Sequence, residues 1–235
     1  MRTPARYHIF LYFARSVAAT RAVRQRAPTK VASPDHAPRA VPLVVGAYAI
    51  VAAVGVAIAA LRGQPNVFVC ESMRLGADRD GPWLGHVASV AGGLALAIAV
   101  VAATRYLVRN REWATALHED LRPMAKALGE SAIVPVALAS SVGEEVLFRG
   151  ALTPFIGIVA SSVLFGLLHQ MRGRSRLSWV LFATIVGLAF AALFRATGSL
   201  VGPIVAHALI NAANLRFLLT HAPSRPQSMG GLLRR

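Results

Sequence analysis

The sequence of 235 residues has little of what builds ordinary soluble domains or disulfide-linked scaffolds. It has one cysteine, Cys70, which excludes an intrachain disulfide and a CxxC metal site. Only 15% of its residues are charged and 55% are hydrophobic, which is too apolar for a soluble domain of this length. Runs of about 18 to 22 apolar residues recur, the length that crosses a bilayer core as a helix. The composition therefore indicates a polytopic helical membrane protein.

Lysine and acidic residues are also scarce. Of the 25 basic residues, 23 are arginine, against 10 acidic residues, and the formal net charge is +15. Such a charge would suit nucleic-acid binding, but the arginines cluster between apolar runs, as the positive-inside rule predicts for membrane proteins. We therefore expect contact with a lipid bilayer and no nucleic-acid partner. Arginine in place of lysine is typical of GC-rich genomes, which favours a bacterial inner (plasma) membrane.

Alternating apolar and polar stretches predict an all-α transmembrane bundle of about six spans. Residues 1–40 form a basic segment with a short amphipathic helix on the membrane surface, and residues 41–130 hold two spans and a charged connector. Residues 131–220 form the core with four spans, and residues 221–235 a basic tail. The predicted spans are 41–61, 85–108, 132 onward, 155–169, 179–194 and 200–219. Because the polar segments on one side are all basic, both termini are predicted to be cytoplasmic.

Two neighbouring acids, Glu144 and Glu145, lie inside the third apolar stretch, whereas the other eight acids lie in polar segments. A carboxylate in hydrocarbon costs about 2.5 kcal/mol or more on insertion scales, so a retained pair indicates a function. On a helix Glu145 lies one turn before Arg149 and can pair with it. Glu144 is rotated by about 100° and has no partner in its own helix, which makes it a candidate general base on water. The alternative is a pair of charges that tie helices together.

Downstream spans add His169, His207 and Asn211. His207 and Asn211 share a helix face, which Asn214 continues, and such a stripe lines a cavity or binds a neighbouring helix. His169 ends its apolar segment, where an interfacial role is the alternative. Together with Glu144, these groups could activate water and stabilise an oxyanion, as amide hydrolysis requires. Two histidines and a glutamate could also bind zinc, although the HExxH signature is absent, so both chemistries are open at this point.

Three motifs follow one another on successive apolar segments. They are EExxxR at Glu144, Glu145 and Arg149, FxxxH at Phe165 and His169, and HxxxN at His207 and Asn211. In this order they resemble the CPBP intramembrane proteases, the family of the eukaryotic CAAX-processing endopeptidase and many bacterial relatives. The resemblance covers about residues 130–220.

The resemblance implies an endopeptidase that cleaves a membrane-anchored protein or peptide, with a substrate of the CAAX or C-terminal sorting-signal kind. It implies that Glu144, with His169, activates the attacking water and that His207 and Asn211 stabilise the tetrahedral oxyanion. The second glutamate and the arginine of the first motif would orient these groups. A metal-free reaction is the favoured expectation. Zinc held by Glu144, His169 and His207 is the alternative.

Two other classes of function are open. One is a noncatalytic membrane protein of the same fold, acting in partner binding or bacteriocin immunity. The other is a proton-coupled transporter with Glu144 as relay, which the lack of inverted repeats disfavours. Six straight spans would also place Glu144 and His169 at opposite ends of their helices, too far apart for chemistry. We nevertheless predict one shared cavity, so either the segment around Gly150 and Pro154 is not a simple outer turn or the fourth helix is short and tilted.

Overall fold

The computed structural model describes residues 37–64, 66–70 and 82–222, and the regular structure in these ranges is helical. The helices are α1 (Ala37–Leu61), α2 (Pro82–Asn110), α3 (Glu112–Leu128), α4 (Ile133–Glu145), a π-helical turn (Val146–Leu152), α5 (Thr153–Leu168), α6 (Arg176–Thr197) and α7 (Val201–Thr220), with a short 3₁₀ turn before α4. The all-α prediction is confirmed. The predicted amphipathic helix near the N-terminus and most of the basic tail lie outside the described residues.

Five helical stretches are long and apolar enough to cross a membrane. They are Val41–Leu61, Trp83–Asn110, Glu130–Leu168, Arg176–Thr197 and Val201–Thr220. Their outer sides carry large apolar groups, such as Leu43, Ile98 and Ile185, which are 76%, 71% and 65% exposed. A water-soluble surface rarely presents so much contiguous apolar area, so these sides face lipid. The chain is an integral membrane protein.

The third stretch joins the predicted third and fourth spans without a loop. Its 39 residues would measure about 58 Å as a straight helix, about twice a bilayer core. Gly157 interrupts it with φ 85° and ψ 167°, a conformation open essentially to glycine alone. The turn predicted around Gly150 and Pro154 is therefore wrong. Gly150 lies in the π turn, and Pro154 lies in the first turn of α5, where its missing N–H removes no helical hydrogen bond.

Residues at similar distances on either side of Gly157 contact each other. The hydroxyl oxygens of Thr153 and Ser161, each four residues from Gly157, are 2.9 Å apart. Farther out, the rings of Phe148 and Phe165 meet edge to face with centroids 5.1 Å apart. The two limbs therefore run antiparallel as a helical hairpin. This reversal resolves the conflict in the predicted topology, because it brings the glutamate pair level with the end of α5.

The predicted charged connector is the amphipathic helix α3. It buries one face, made of Ala114, Leu117, His118, Ala125 and Leu128. Glu112 in its first turn and Lys126 in its last turn complement the helix dipole. The helix is anchored to the end of α7, because Arg122 Nε donates to the Leu218 carbonyl at 3.1 Å.

At the opposite end of the bundle, residues 66–70 pack between the π turn and the α6–α7 connection. The Cys70 N–H donates to the Gly198 carbonyl at 2.9 Å, and the Gln64 amide donates to the Gly150 carbonyl at 3.2 Å. A Cβ on Gly150 would lie 2.9 Å from the Val67 carbonyl oxygen, so only glycine permits this contact. This segment closes the bundle beside the turn that carries Arg149.

Candidate active site

Helices α4 and α7 run antiparallel, and their registers match along the site. Each presents two polar side chains one helical turn apart, and the pairs face each other as Glu144 with His207 and Ser140 with Asn211. Asn211 Nδ2 donates to Ser140 Oγ at 3.0 Å. The helix face that His207 and Asn211 were predicted to share is therefore the face of α7 that is directed toward the site.

Glu144 lies where α4, α5 and α7 meet. Its Oε2 is 3.7 Å from Nε2 of His169 and 3.7 Å from Nε2 of His207. The residue is 8% exposed, and Oε2 has no hydrogen-bond partner in the described part of the chain. A buried carboxylate oxygen is normally paired, so an orphaned one between two imidazoles indicates a place for a reacting molecule.

The two imidazoles are oriented by their other ring nitrogens. Nδ1 of His169 donates to the Phe165 carbonyl at 2.7 Å, because a carbonyl oxygen only accepts. Nδ1 of His207 lies 2.8 Å from Oε1 of Glu145, an acceptor of the same kind. Both rings are thereby fixed with Nε2 toward Glu144, in the way that outer acceptors fix histidines in metal and hydrolytic sites.

Glu145 is fully buried, and one of its carboxylate oxygens accepts hydrogen bonds from two donors. Its Oε1 accepts from Nη1 of Arg149 at 2.9 Å and from Nδ1 of His207 at 2.8 Å. The predicted pairing of Glu145 with Arg149 along one helix face is present. The neighbouring glutamates thus divide as expected, since Glu145 is held by an internal cation while Glu144 faces the two imidazoles.

Arg149 is 1% exposed and enclosed by aromatic rings. Its guanidinium carbon lies 4.3 Å from the Phe165 ring centroid and 5.3 Å from that of Phe190. Nη2 also donates to the Gly187 carbonyl at 3.1 Å. These contacts stabilise a buried cation without water. A Cβ on Gly187 would lie 3.0 Å from Nη2, so the glycine leaves the space that the guanidinium occupies.

Asn214, which continues the predicted stripe, does not reach the site. Its Oδ1 accepts from Nη1 of Arg105 on α2 at 2.8 Å. Arg105 also donates to the Ala213 carbonyl at 2.8 Å. The stripe on α7 therefore divides into a part that contacts α4 beside Glu144 and a part that ties α2 to α7.

Three groups beside the site were missed from the sequence. Tyr48 of α1 packs against Gly143, the residue before Glu144, and its side chain interacts with the Glu144 carboxylate. It is the only residue of the run from 41 to 61 whose side chain can form a hydrogen bond, a signal that was readable. Ser140 holds Asn211, and its spacing of one turn before Glu144 was also readable. The ring of Phe190, stacked on His207 with centroids 5.1 Å apart, had no distinguishing signal in an apolar helix.

Comparison with known proteins identifies the segment that carries this geometry. Residues 131–213 match the sequence profile of the Rce1-like family, described as type II CAAX prenyl endopeptidase Rce1-like. The uncharacterized protein YpbD of Bacillus subtilis (strain 168) is 34% identical over 82 residues, which are 34% of this chain and 42% of that protein. The chain thus spans less than half the length of this curated relative. No solved structure matches it.

The predicted resemblance to the CPBP family is confirmed, because residues 131–213 of this integral membrane protein match the Rce1-like family model. The matched segment contains all six residues predicted for the site. It leaves α1 and α2 unmatched, and with them Tyr48.

Proposed function

We propose that the protein is an intramembrane endopeptidase that hydrolyses a peptide bond of a membrane-associated protein or peptide. The observation that carries the proposal is the unpartnered Oε2 of Glu144, facing Nε2 of both His169 and His207 at 3.7 Å. Gaps of this size suit one small molecule, such as water, that would hydrogen-bond to several of these atoms at once. The family match supports the same class of reaction.

In the proposed reaction, Glu144 removes a proton from water while the neutral Nε2 of His169 accepts the second O–H of that water. The water oxygen bonds to the substrate carbonyl carbon, and the carbonyl electron pair moves onto its oxygen. The proton on Glu144 then passes to the amide nitrogen as the C–N bond breaks. The products are a carboxylic acid and an amine, and the glutamate returns to its ionised form.

His207 and Asn211 are proposed to stabilise the oxyanion. In its protonated form His207 donates from Nδ1 to Glu145 and keeps a second N–H on Nε2 for the oxyanion. The two glutamates, Arg149 and this imidazolium then sum to zero charge, which lowers the cost of burying them together. Asn211 uses one amide N–H for Ser140 and keeps the other.

The donor set of Glu144, His169 and His207 is also chemically suited to a divalent metal, with both Nδ1 atoms already bound to outer acceptors. A metal held by these residues would supply a more acidic bound water. Among the described residues, no group of three or more histidine, cysteine and acidic side chains has the arrangement of a metal site. We therefore propose Glu144 as the base, and a chelator tests the metal-dependent alternative.

The substrate class proposed is a chain anchored in the membrane close to its C-terminus, of the CAAX or sorting-signal kind. We also propose that the protein lies in the bacterial inner membrane with both termini in the cytoplasm, because the segments between the spans are basic. Nothing in the site requires a nucleic acid.

The test uses purified protein in lipid nanodiscs with two fluorogenic peptides, a farnesylated one ending in a CAAX sequence and an unprenylated single-span one. We expect Glu144→Gln to lower the cleavage rate by about 10²- to 10⁴-fold, the usual contribution of a general base. The matched control is Glu130→Gln, because that side chain is 73% exposed. Equal cleavage by the Glu144→Gln and wild-type proteins would overturn the proposal. Loss of activity in a chelator, with recovery on adding Zn²⁺, would replace the metal-free reaction by a metal-dependent one.

A further inference from the structure

Tyr48 brings a phenol hydroxyl into an otherwise apolar membrane helix. Across residues 41–61 no other side chain can form a hydrogen bond. Such a hydroxyl usually finds a partner when it is away from water, because an unpaired polar group in hydrocarbon is costly. The side chain of Tyr48 is only partly exposed, so its partner is expected within the bundle.

The backbones of α1 and α4 touch beside this residue. A Cβ on Gly143 would lie 2.6 Å from the Tyr48 carbonyl oxygen and 3.2 Å from the Tyr48 Cβ. Only glycine permits so close an approach, and it immediately precedes Glu144. The contact therefore sets the Tyr48 ring against the helix that carries the candidate base. The Tyr48 side chain also interacts with the Glu144 carboxylate.

The two histidines around Glu144 do not hold its carboxylate, so the contact with Tyr48 has a role that they do not fill. His169 and His207 face Oε2 across gaps of 3.7 Å from α5 and α7, so neither bonds the carboxylate directly. A phenol that keeps its proton is a donor, and an ionised carboxylate is an acceptor. A Tyr48 hydroxyl that donates to Glu144 would therefore act from the α1 side, and that bond would restrain the rotation of a carboxylate that the imidazoles do not hold.

We propose that Tyr48 is a positioning residue for Glu144, whose hydroxyl donates the hydrogen bond that keeps Oε2 directed toward His169 and His207. The effect on catalysis rests on the proposed function, whereas the hydrogen bond does not. Because α1 lies outside the family-matched residues 131–213, the functional unit extends beyond that segment.

The first measurement reads the hydrogen bond without any substrate. Tyr48→Phe is made in the wild-type protein and in the Glu144→Ala variant, and Tm is recorded in the same detergent. We expect a larger fall in Tm in the wild-type background, since only there does the loss of the hydroxyl leave a carboxylate without its donor. Tyr106→Phe is the matched control, because Tyr106 is 59% exposed on α2. Equal changes in Tm in both backgrounds would overturn the hydrogen bond.

The second measurement reads positioning from the kinetics of peptide cleavage. A hydrogen bond to a charged group contributes enough that Tyr48→Phe should lower kcat by about 10- to 100-fold, with KM unchanged. Tyr106→Phe should leave both constants unchanged. An unaltered kcat, or a change confined to KM, would overturn the positioning role. Full activity of Glu144→Gln would instead contradict the proposed function, and the Tm comparison would still decide whether Tyr48 and Glu144 are bonded.

Discussion

The two faces of α7 use polar side chains for different ends. Toward α2, Asn214 accepts from Arg105, and Gly202 packs so closely that a Cβ there would collide with Ser89. Toward α4, His207 and Asn211 bond to Glu145 and Ser140. The α2 face has its polar groups paired within the protein, whereas the α4 face directs an imidazole and an amide group toward the helix that carries an unpartnered carboxylate oxygen. Polar residues in a membrane helix thus indicate function when their pairing is incomplete.

Burial also separates the first two membrane helices from the later ones. Of the most apolar part of α1 and of α2, 11% and 17% of the residues are buried inside the protein. The corresponding share is 33% in each of the three later membrane stretches. Charged groups can be held only where several helices surround them, because lipid offers neither hydrogen bonds nor counter-charges. The first two helices accordingly contribute isolated contacts such as Tyr48 and Arg105, and the later ones hold the glutamate, arginine and histidine cluster.

The largest effect is expected from removing the buried cation. Arg149→Met leaves Glu145 in the core without its cation, which should lower the free energy of unfolding by about 3–5 kcal/mol. Thermal unfolding in detergent measures this. Arg105→Met on the α2 face is the matched control, with an expected loss of about 1 kcal/mol from hydrogen bonds to Asn214 and Ala213. Similar losses in both variants would contradict the contrast between the two faces.

A second prediction separates Asn211 from Asn214. If Asn211 stabilises the oxyanion, Asn211→Ala should reduce kcat by about 10²- to 10³-fold, as removal of an oxyanion donor does elsewhere. Asn214→Ala should lower Tm through the lost Arg105 bond and leave kcat unchanged. Peptide cleavage and Tm are measured for both. A catalytic loss in Asn214→Ala as large as that in Asn211→Ala would erase the distinction between the faces.

The third prediction concerns the hairpin. A side chain on Gly157 meets no atom within 4 Å, so the cost of Gly157→Ala comes from its backbone conformation alone and should be about 1–3 kcal/mol. The hairpin sets His169 beside Glu144, so peptide cleavage should fall as well. Gly63→Ala is the control, with a positive φ of 70° and equally open space, but far from the site. It should lower Tm and spare activity. Full activity of Gly157→Ala would show that the hairpin does not depend on this conformation.

The smallest effect is expected at α3. Burial lowers the pKa of His118 below its usual value of 6.5. The folded protein therefore favours the neutral ring, and the associated stability is complete above about pH 6.5 and is lost as the pH falls below that value. His118 Nε2 also bonds to the His221 carbonyl at 3.0 Å. The Tm advantage of the wild type over His118→Gln, measured from pH 7.5 to 5, should shrink toward acid. A constant difference would contradict the prediction.

The sequence predicted the helical class, most span boundaries and the pairing of Glu145 with Arg149. It did so because these depend on apolar run length and on spacing within one helix, which are local properties. The turn predicted at Gly150 and Pro154 was wrong because it, too, was inferred from local residue types alone. Glycine and proline often mark the ends of helices. Here, however, Gly150 lies within the π turn and Pro154 lies in the first turn of α5.

By itself, then, the sequence determined which chemical groups enter the membrane and on which helix faces they lie. The tertiary structure alone decided that the chain reverses at Gly157, that Glu144 lies between two imidazoles, and that α1 brings a tyrosine to the same carboxylate. These relations join residues far apart in the chain. They are set by how closely helices approach, which depends on glycines such as Gly143 whose role becomes visible only against the partner helix.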